Sequence, residues 1–195
     1  LKQALSALVQ WRSEFGSHLT MAVNVSPAQF KADHFAETIL GALEAVGLKG
    51  QYLELELTEN VIIDAVMGVG ITLKQLAEQG VRLAMDDFGT GYSSLSYLRQ
   101  YNFDTLKIDR EFIADLTVSA EGKQLVSAMV TMAQSLGMSV VAEGVEREEQ
   151  LQALKQLHCD IYQGWLFSKP LPPEKITQLL ENLADENTTK MRNIG

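Results

Sequence analysis

Polar residues stand at the ends of six short apolar runs in this chain: Asn24, Glu56, Asp86 with Asp87, Lys107 with Asp109, Glu143 and Gln163. A set built from Asp, Glu and Asn oxygens suits hard cations, Mg²⁺ or Mn²⁺, whereas zinc or copper usually recruits His or Cys. His18, His34 and His158 lie away from these positions and read as ordinary helix and loop residues. Adjacent carboxylates such as Asp86 and Asp87 repel one another unless a cation lies between them. Two divalent ions would convert so negative a site into one that welcomes phosphate, generating hydroxide and stabilising the leaving oxygen of a phosphodiester. Lys107 would orient the water or neutralise charge on the phosphorane. A buried pair with Asp109 or Glu143 is compatible with the same position. Taken alone, Asp86-Asp87 reads more readily as a surface turn before a glycine loop. The equivalent strand-end places of Asn24, Glu56 and Glu143 argue for ligation instead.

The elements that must position these residues follow from hydrophobic spacing. Leu1, Leu5, Leu8 and Phe15 recur at helical intervals, and Met21 to Val25 reads as a short buried strand. The alternation then repeats. A helix over Phe35, Ile39, Leu43 and Val46 closes at Gly47 before a strand from Leu53 to Leu57. Val66, Val69, Leu73 and Leu76 share a helical face that stops at Gly80, before Val81 to Met85. A short helix from Ser94 to Tyr101 precedes the strand Thr105 to Ile108. Leu125, Met129, Met132 and Leu136 predict the next helix, and Ser139 to Ala142 the next strand. Leu151, Leu154 and Leu157 mark one more helix before a last strand, Ile161 to Phe167. A final helix carries Ile176, Leu179, Leu180 and Leu183 behind Pro172 and Pro173, and the polar residues from Asp185 to Gly195 read as a frayed tail.

Strands alternating with helices argue for a parallel sheet, either open and doubly wound or closed as a barrel. An open sheet draws its ligand groups mainly from the strands beside one switch point, whereas a barrel brings every strand's C-terminal end to one mouth. Six polar strand ends favour the barrel. A complete one has about eight strands and about 250 residues, so about two strands are expected before Leu1, and the chain reads as an excerpt of a longer polypeptide. Within Leu53 to Leu57, Glu54 and Glu56 share the face opposite the leucines. Buried carboxylates need cations: for Glu54 an interior salt bridge, Arg82 being the candidate partner, and for Glu56 metal. The glycines of Asp87-Phe88-Gly89-Thr90-Gly91-Tyr92-Ser93-Ser94 permit a phosphate cradle, a movable lid or a plain turn.

Composition narrows the partners. With 195 residues and 46% hydrophobic content, the chain is the size of one domain with a substantial core. Sixteen Lys and Arg against 25 Asp and Glu give a net charge of -9, which argues against binding a DNA or RNA polymer. The single cysteine, Cys159, fits a reducing compartment and a small buried hydrophobe. No apolar run approaches the roughly 20 residues of a membrane span, so this segment is expected to make no membrane contact.

Beside this residue-level reading stands a resemblance. Glu56-Leu57-Thr58-Glu59, Asp86-Asp87-Phe88-Gly89-Thr90-Gly91-Tyr92-Ser93-Ser94, Lys107-Ile108-Asp109, Val141-Ala142-Glu143-Gly144-Val145-Glu146 and Gln163-Gly164 resemble, in order and spacing, the motifs of EAL phosphodiesterase domains. The similarity runs from the first helix to Leu171-Pro172, with Trp165 standing where an aromatic is common. It implies a modified TIM (β/α)8 barrel that hydrolyses cyclic di-GMP to pGpG with two Mg²⁺ or Mn²⁺ ions. Carried over by position, Asn24, Glu56, Asp86 and Asp87 are implied metal ligands, with Asp86 and Asp87 near the second ion. Lys107 is implied to position the water, and Glu143 and Gln163 to complete the metal and water shell. Glu59 resembles the glutamate that anchors the glycine loop, which in the family links dimerisation to metal binding. The first motif, Glu-Ala-Leu with an arginine two residues on, is absent and reads as truncation of the first strand pair.

The expected organisation is an EAL domain over residues 1–184 with a polar tail over 185–195. Its parent is expected to be a bacterial signalling hydrolase that is cytoplasmic or membrane-anchored through upstream segments, homodimeric, and joined to sensor or GGDEF-type domains. The excerpt alone is expected to be inactive or poorly folded. The alternatives are a non-catalytic cyclic di-GMP receptor or interaction module with a degenerate EAL fold, and a barrel acting on another phosphorylated metabolite.

Overall fold

Among the described residues the apolar runs form six strands: β1 Met21–Val25, β2 Leu53–Thr58, β3 Arg82–Phe88, β4 Thr105–Ile108, β5 Ser139–Ala142 and β6 Ile161–Tyr162. The computed structural model describes residues 1–16, 18–64, 69–89 and 95–192. Val66 of the expected helical face and Thr90–Ser94 of the glycine loop lie outside the described residues. Every strand pairs in parallel with its sequence neighbour, giving the order β1-β2-β3-β4-β5-β6. A doubly wound sheet reverses direction at its switch point. This one does not, so right-handed crossovers place the helices on a single face. The sheet is a curled, open half-barrel with β1 and β6 at its edges, the incomplete barrel expected from the polar strand ends.

The connecting helices are α1 Lys2–Phe15, α2 Pro27–Phe30, α3 Phe35–Ala45, α4 Glu59–Asp64, α5 Val69–Glu78, α6 Leu95–Gln100, α7 Arg110–Asp115, α8 Ala120–Ser135, α9 Glu148–Gln156 and α10 Pro173–Arg192. The last takes in most of the polar residues after 184. Leu53, Leu55, Leu57, Leu83, Leu106 and Ile108 are wholly buried on the helix-facing side of the sheet. Each contributes about 1.5–3 kcal/mol through burial. At the strand entrances, carboxylates satisfy neighbouring amides: Asp104 Oδ2 accepts from Leu83 N at 2.9 Å, and Asp160 Oδ2 from Val140 N at 2.8 Å. These bonds tie β3 to β4 and β5 to β6 at the end opposite the mouth.

Five elements differ from the sequence reading. The inward face of α8 is Val126, Met129, Val130 and Ala133, while Leu125 and Leu136 are 46% and 39% exposed. Two apolar rows compete on this helix, and the row of smaller and β-branched residues is the one that packs toward β4 and β5. β6 stops after Tyr162 rather than running to Phe167. The chain there wraps around Val145, whose N donates to Gln163 O at 3.0 Å and whose O accepts from Leu166 N at 3.0 Å. A Cβ on Gly164 would stand 2.2 Å from the same Val145 oxygen, so only glycine permits the approach. The short helices α2, α4 and α7 were not expected. Ser26 Oγ accepts from Gln29 N to start α2, with Pro27 in its first turn, and Asp109 Oδ1 accepts from Glu111 N to start α7.

Candidate metal centre

Alternation along the strands puts Glu54, Glu56, Ala84, Asp86, Thr105 and Lys107 on the inner face, opposite the leucines. Lys107 stands at the centre of the upper part, only 4% exposed. Its Nζ lies 2.9 Å from Glu56 Oε1, 2.8 Å from Asp86 Oδ1 and 2.7 Å from Glu143 Oε1. Four elements therefore meet at one ammonium: β2, β3, β4 and the turn after β5. Register explains the convergence, since Lys107 pairs with Val141 and Glu143 N donates to Ile108 O at 3.1 Å. Glu143 thus begins where β5 ends, level with the Lys107 side chain.

Asp86 and Asp87 reach the same mouth because β3 is irregular. Met85 pairs with Leu106 and Phe88 with Ile108, so β3 spends three steps where β4 spends two. The extra residue is a bulge. Asp87 adopts φ 53°, the left-handed region that Asp tolerates better than most side chains. A straight strand would send consecutive side chains to opposite faces; the bulge turns Asp87 back. Asp86, Asp87 and Glu143 each present an oxygen, and the three atoms lie within 4.8 Å of one another. That span fits one hard cation bound by carboxylates at about 2.0–2.6 Å. Neither His nor Cys is among these donors, so the set suits Mg²⁺ or Mn²⁺ better than zinc.

The electrostatics point the same way. Four carboxylates, Glu56, Asp86, Asp87 and Glu143, face one ammonium. Burial pushes the Glu56 and Glu143 carboxyls above their ordinary value; Lys107 offsets this in part, and the charge of Asp86 adds to it. Asp87 is raised by burial, then by Asp86 and by Asp109, with which it shares a hydrogen bond. Burial alone would pull the Lys107 ammonium down, but its hydrogen bonds to Asp86, Glu143 and Glu56 outweigh it and hold the proton firmly. The mouth carries more negative charge than its lysine can neutralise, a condition that a bound divalent cation relieves.

The remaining expected residues stand further out. Asn24 pairs in register with Glu56 but is exposed on the edge strand β1. Gln163 is exposed just past β6, where its N donates to Ala142 O at 2.8 Å. Glu59 is half-buried at the head of α4, and the loop it was expected to anchor lies outside the described residues from Thr90 to Ser94. Glu54 pairs with Arg82 at 3.4 Å, as expected for an interior salt bridge, and also accepts from Thr105 Oγ1 at 2.8 Å. Lys107 has its ion pairs with Glu56, Asp86 and Glu143, whereas Asp109 turns toward Asp87. The sequence reading offered Asp109 only as a buried partner for Lys107; it lies two residues beyond Lys107, the spacing that returns a strand side chain to the same face. Beside the cluster opens a cleft of about 850 Å³ lined by Glu143, Gln163, Arg110, Trp165, Lys169 and Ala22. Lys169 Nζ sits 4.9 Å from the centre of the Trp165 ring, which is 60% exposed.

A parallel half-barrel with a carboxylate-rich mouth around one buried lysine defines a class of α/β-barrel domains whose mouth could hold a hard cation. The chain belongs to the EAL domain family, whose description it matches over residues 1–170. The cyclic di-GMP phosphodiesterase NbdA of Pseudomonas aeruginosa is 40% identical over 177 residues, covering 91% of this chain and 23% of NbdA. The EAL domain of Mycobacterium smegmatis DcpA has a TM-score of 0.87 and 37% identity, over 93% of this chain and 82% of that one. Klebsiella pneumoniae BlrP1, solved with manganese and cyclic di-GMP, has a TM-score of 0.78 and 32% identity, over 87% of this chain and 43% of that one. The chain spans about a quarter of the length of the curated relatives it matches. Among the described residues no helix is long and apolar enough to cross a membrane.

Proposed function

We propose that this chain is the catalytic part of a cyclic di-GMP phosphodiesterase that opens the cyclic dinucleotide to linear pGpG. The observation that carries the reading is Lys107, held by Glu56, Asp86 and Glu143 within 2.9 Å, beside the Asp86-Asp87-Glu143 cluster. In the reaction a water oxygen bonds to phosphorus, the bond from phosphorus to one 3′ oxygen breaks, and the departing oxygen takes up a proton. Asp86, Asp87 and Glu143 would hold Mg²⁺ or Mn²⁺, with Glu56 and Asn24 on the β2 and β1 side of a second ion. Two such ions, when bound, lower the pKa of water and offset charge on the attacking and leaving oxygens. Lys107 keeps its proton and directs the attacking water, while its three carboxylate partners fix its amine in place. Gln163 hydrogen-bonds the same water from the β6 side, and Glu59 anchors the glycine loop. Arg110 and Lys169 at the cleft rim attract the phosphates, and the Trp165 ring offers a face for a base.

The parent protein, on this reading, is a homodimeric bacterial signalling enzyme of the cytoplasm. The test is to incubate the full-length protein with cyclic di-GMP and Mg²⁺ or Mn²⁺ and follow pGpG by chromatography, with Ca²⁺ as competitor. Metal-dependent appearance of pGpG is expected. Tight binding of cyclic di-GMP without any product would overturn the reading in favour of a receptor.

A further inference from the structure

Among the described residues Gln150 is the one buried amide side chain, 3% exposed on the first turn of α9. Both ends of its side chain are used. Oε1 accepts from Glu146 N and Arg147 N, each at 2.9 Å, and Nε2 donates to Ile113 O at 3.1 Å. The first two bonds are those of a helix cap, which any well-placed acceptor could make. The third is not. It crosses to α7, an element 37 residues earlier in the chain.

The two segments that Gln150 joins are those that deliver the lysine and the last carboxylate of the cluster. α7 follows Lys107-Ile108-Asp109 directly, and the turn from Glu143 to Arg147 begins with the residue 2.7 Å from Lys107 Nζ. The turn lies tight against α7, since a Cβ on Gly144 would meet Arg110 Cβ at 2.4 Å. Close contact resists compression but does not prevent separation. Among the described residues, Gln150 supplies the buried directional tie that keeps the turn from moving away from α7. Replacing the amide would leave the buried Ile113 carbonyl and two part-buried backbone N–H groups without that partner, the first the costliest to strand.

We infer that Gln150 is a positioning residue for the metal centre: by tying the Glu143–Arg147 turn to α7, it fixes Glu143 relative to Lys107 and the two aspartates. The inference rests on the proposed phosphodiester reading for its catalytic consequence, but the tie itself is tested without metal or substrate.

The experiment compares Gln150→Met, which removes both functions, with Gln150→Glu, which keeps the cap acceptor and loses the donor to Ile113. Ser119→Ala, which removes the cap of α8 bonded to Gly122 N at 2.9 Å, serves as a control for general destabilisation. In metal-free full-length protein, amide exchange is followed at Glu143 and Val145, whose N–H groups bond to Ile108 O and Gln163 O rather than to Gln150. Both Gln150 variants should raise exchange there by about tenfold or more, and Ser119→Ala should not. Mn²⁺ affinity, measured by calorimetry without substrate, should fall about 10- to 100-fold in both variants, the range for residues that orient metal ligands. The kcat should fall with it while KM stays within about twofold. Exchange rising only at Glu146 and Arg147, or Gln150→Glu behaving like the parent, would reduce Gln150 to a helix cap and overturn the inference. If the parent binds no Mn²⁺, the phosphodiesterase reading fails, and exchange at Glu143 and Val145 still decides the role of the tie.

Discussion

Two polar layers lie one above the other on the inner face of the same sheet, and they are held by opposite means. The lower layer joins Glu54 of β2, Arg82 of β3 and Thr105 of β4; the upper joins Glu56, Asp86 and Lys107 of the same strands, with Glu143 added. Glu54 and Glu56 are two residues apart, as are Thr105 and Lys107, so one strand geometry serves both. In the lower layer one carboxylate meets one guanidinium and one hydroxyl, and charge balances. The upper layer collects an excess of carboxylates around one ammonium, with Asp87 turned in by the β3 bulge. The unbalanced layer holds uncompensated charge that a ligand relieves, the usual mark of a functional site rather than a stabilising one.

Lys107→Met should separate the layers most sharply. It strands three carboxylates around a buried methyl group, and removing one partner from a buried ionic cluster costs about 3–5 kcal/mol. Metal-free protein should show this loss in denaturant titration, and saturating Mn²⁺ should recover much of it, because a cation can take over the neutralising role. On the proposed phosphodiesterase reading, turnover of cyclic di-GMP should drop by at least about 10²-fold, the scale for losing one placed donor at a reacting phosphate. Equal stability of parent and variant without metal would mean that Lys107 does not hold the upper layer together.

Next in size is the response to pH. Glu56 and Glu143 bind their protons above the ordinary carboxylate value of 4.5, first because burial disfavours the charged form. A carboxyl whose folded pKa exceeds its unfolded one stabilises the fold while protonated; that contribution is full below the unfolded value and is lost as pH rises through the folded one. Metal-free protein should therefore lose stability as pH climbs above 4.5. The raised Lys107 does not mask the slope, because its contribution is full at every pH below its ordinary value of 10.5, far above the carboxylate window. Divalent ions favour the ionised carboxylates, so Mn²⁺ should flatten or reverse the slope. Denaturation midpoints across pH, for the parent and Glu143→Gln, make the measurement. Superimposable metal-free profiles for the two would show that Glu143 carries none of the effect.

The layers also differ in how legible they were. Glu54 and Glu56 could be assigned to the inner face because alternation between Leu53, Leu55 and Leu57 leaves no other choice, and Arg82 was the nearest cation for Glu54. The six strands and the incomplete barrel followed from spacing and from the polar strand ends. Local geometry was less accessible. Nothing in Asp86-Asp87 announces a bulge; it emerges only when the register with β4 is fixed by tertiary pairing. The end of β6 was missed because residues 161–167 are rich in the branched and aromatic side chains that favour strands, while the turn depends on Gly164 closing over Val145. On α8, hydrophobicity alone favoured the larger Leu125 and Leu136, yet packing selected Val126, Val130 and Ala133. Gln150 gave no signal at all, since a helix-entry glutamine reads as a solvated cap until a partner such as Ile113 O is brought to it.

The smallest effect is expected in the lower layer, and it bears most directly on the contrast. Glu54→Gln keeps an acceptor for Thr105 Oγ1 and loses only the ionic attraction to Arg82, whose side chain is 36% exposed. An ion pair with one partner so open to water is worth about 0–1 kcal/mol, so the midpoint of unfolding should shift within that range. Mn²⁺ affinity and kcat should stay within about twofold, in line with near-additive behaviour for groups that share no partner with the site. A large fall in Mn²⁺ affinity would show that the layers are coupled along β2, through Glu54 and Glu56 acting as one charged unit. The lower layer would then tune the field at the mouth rather than merely fill the interior beneath it.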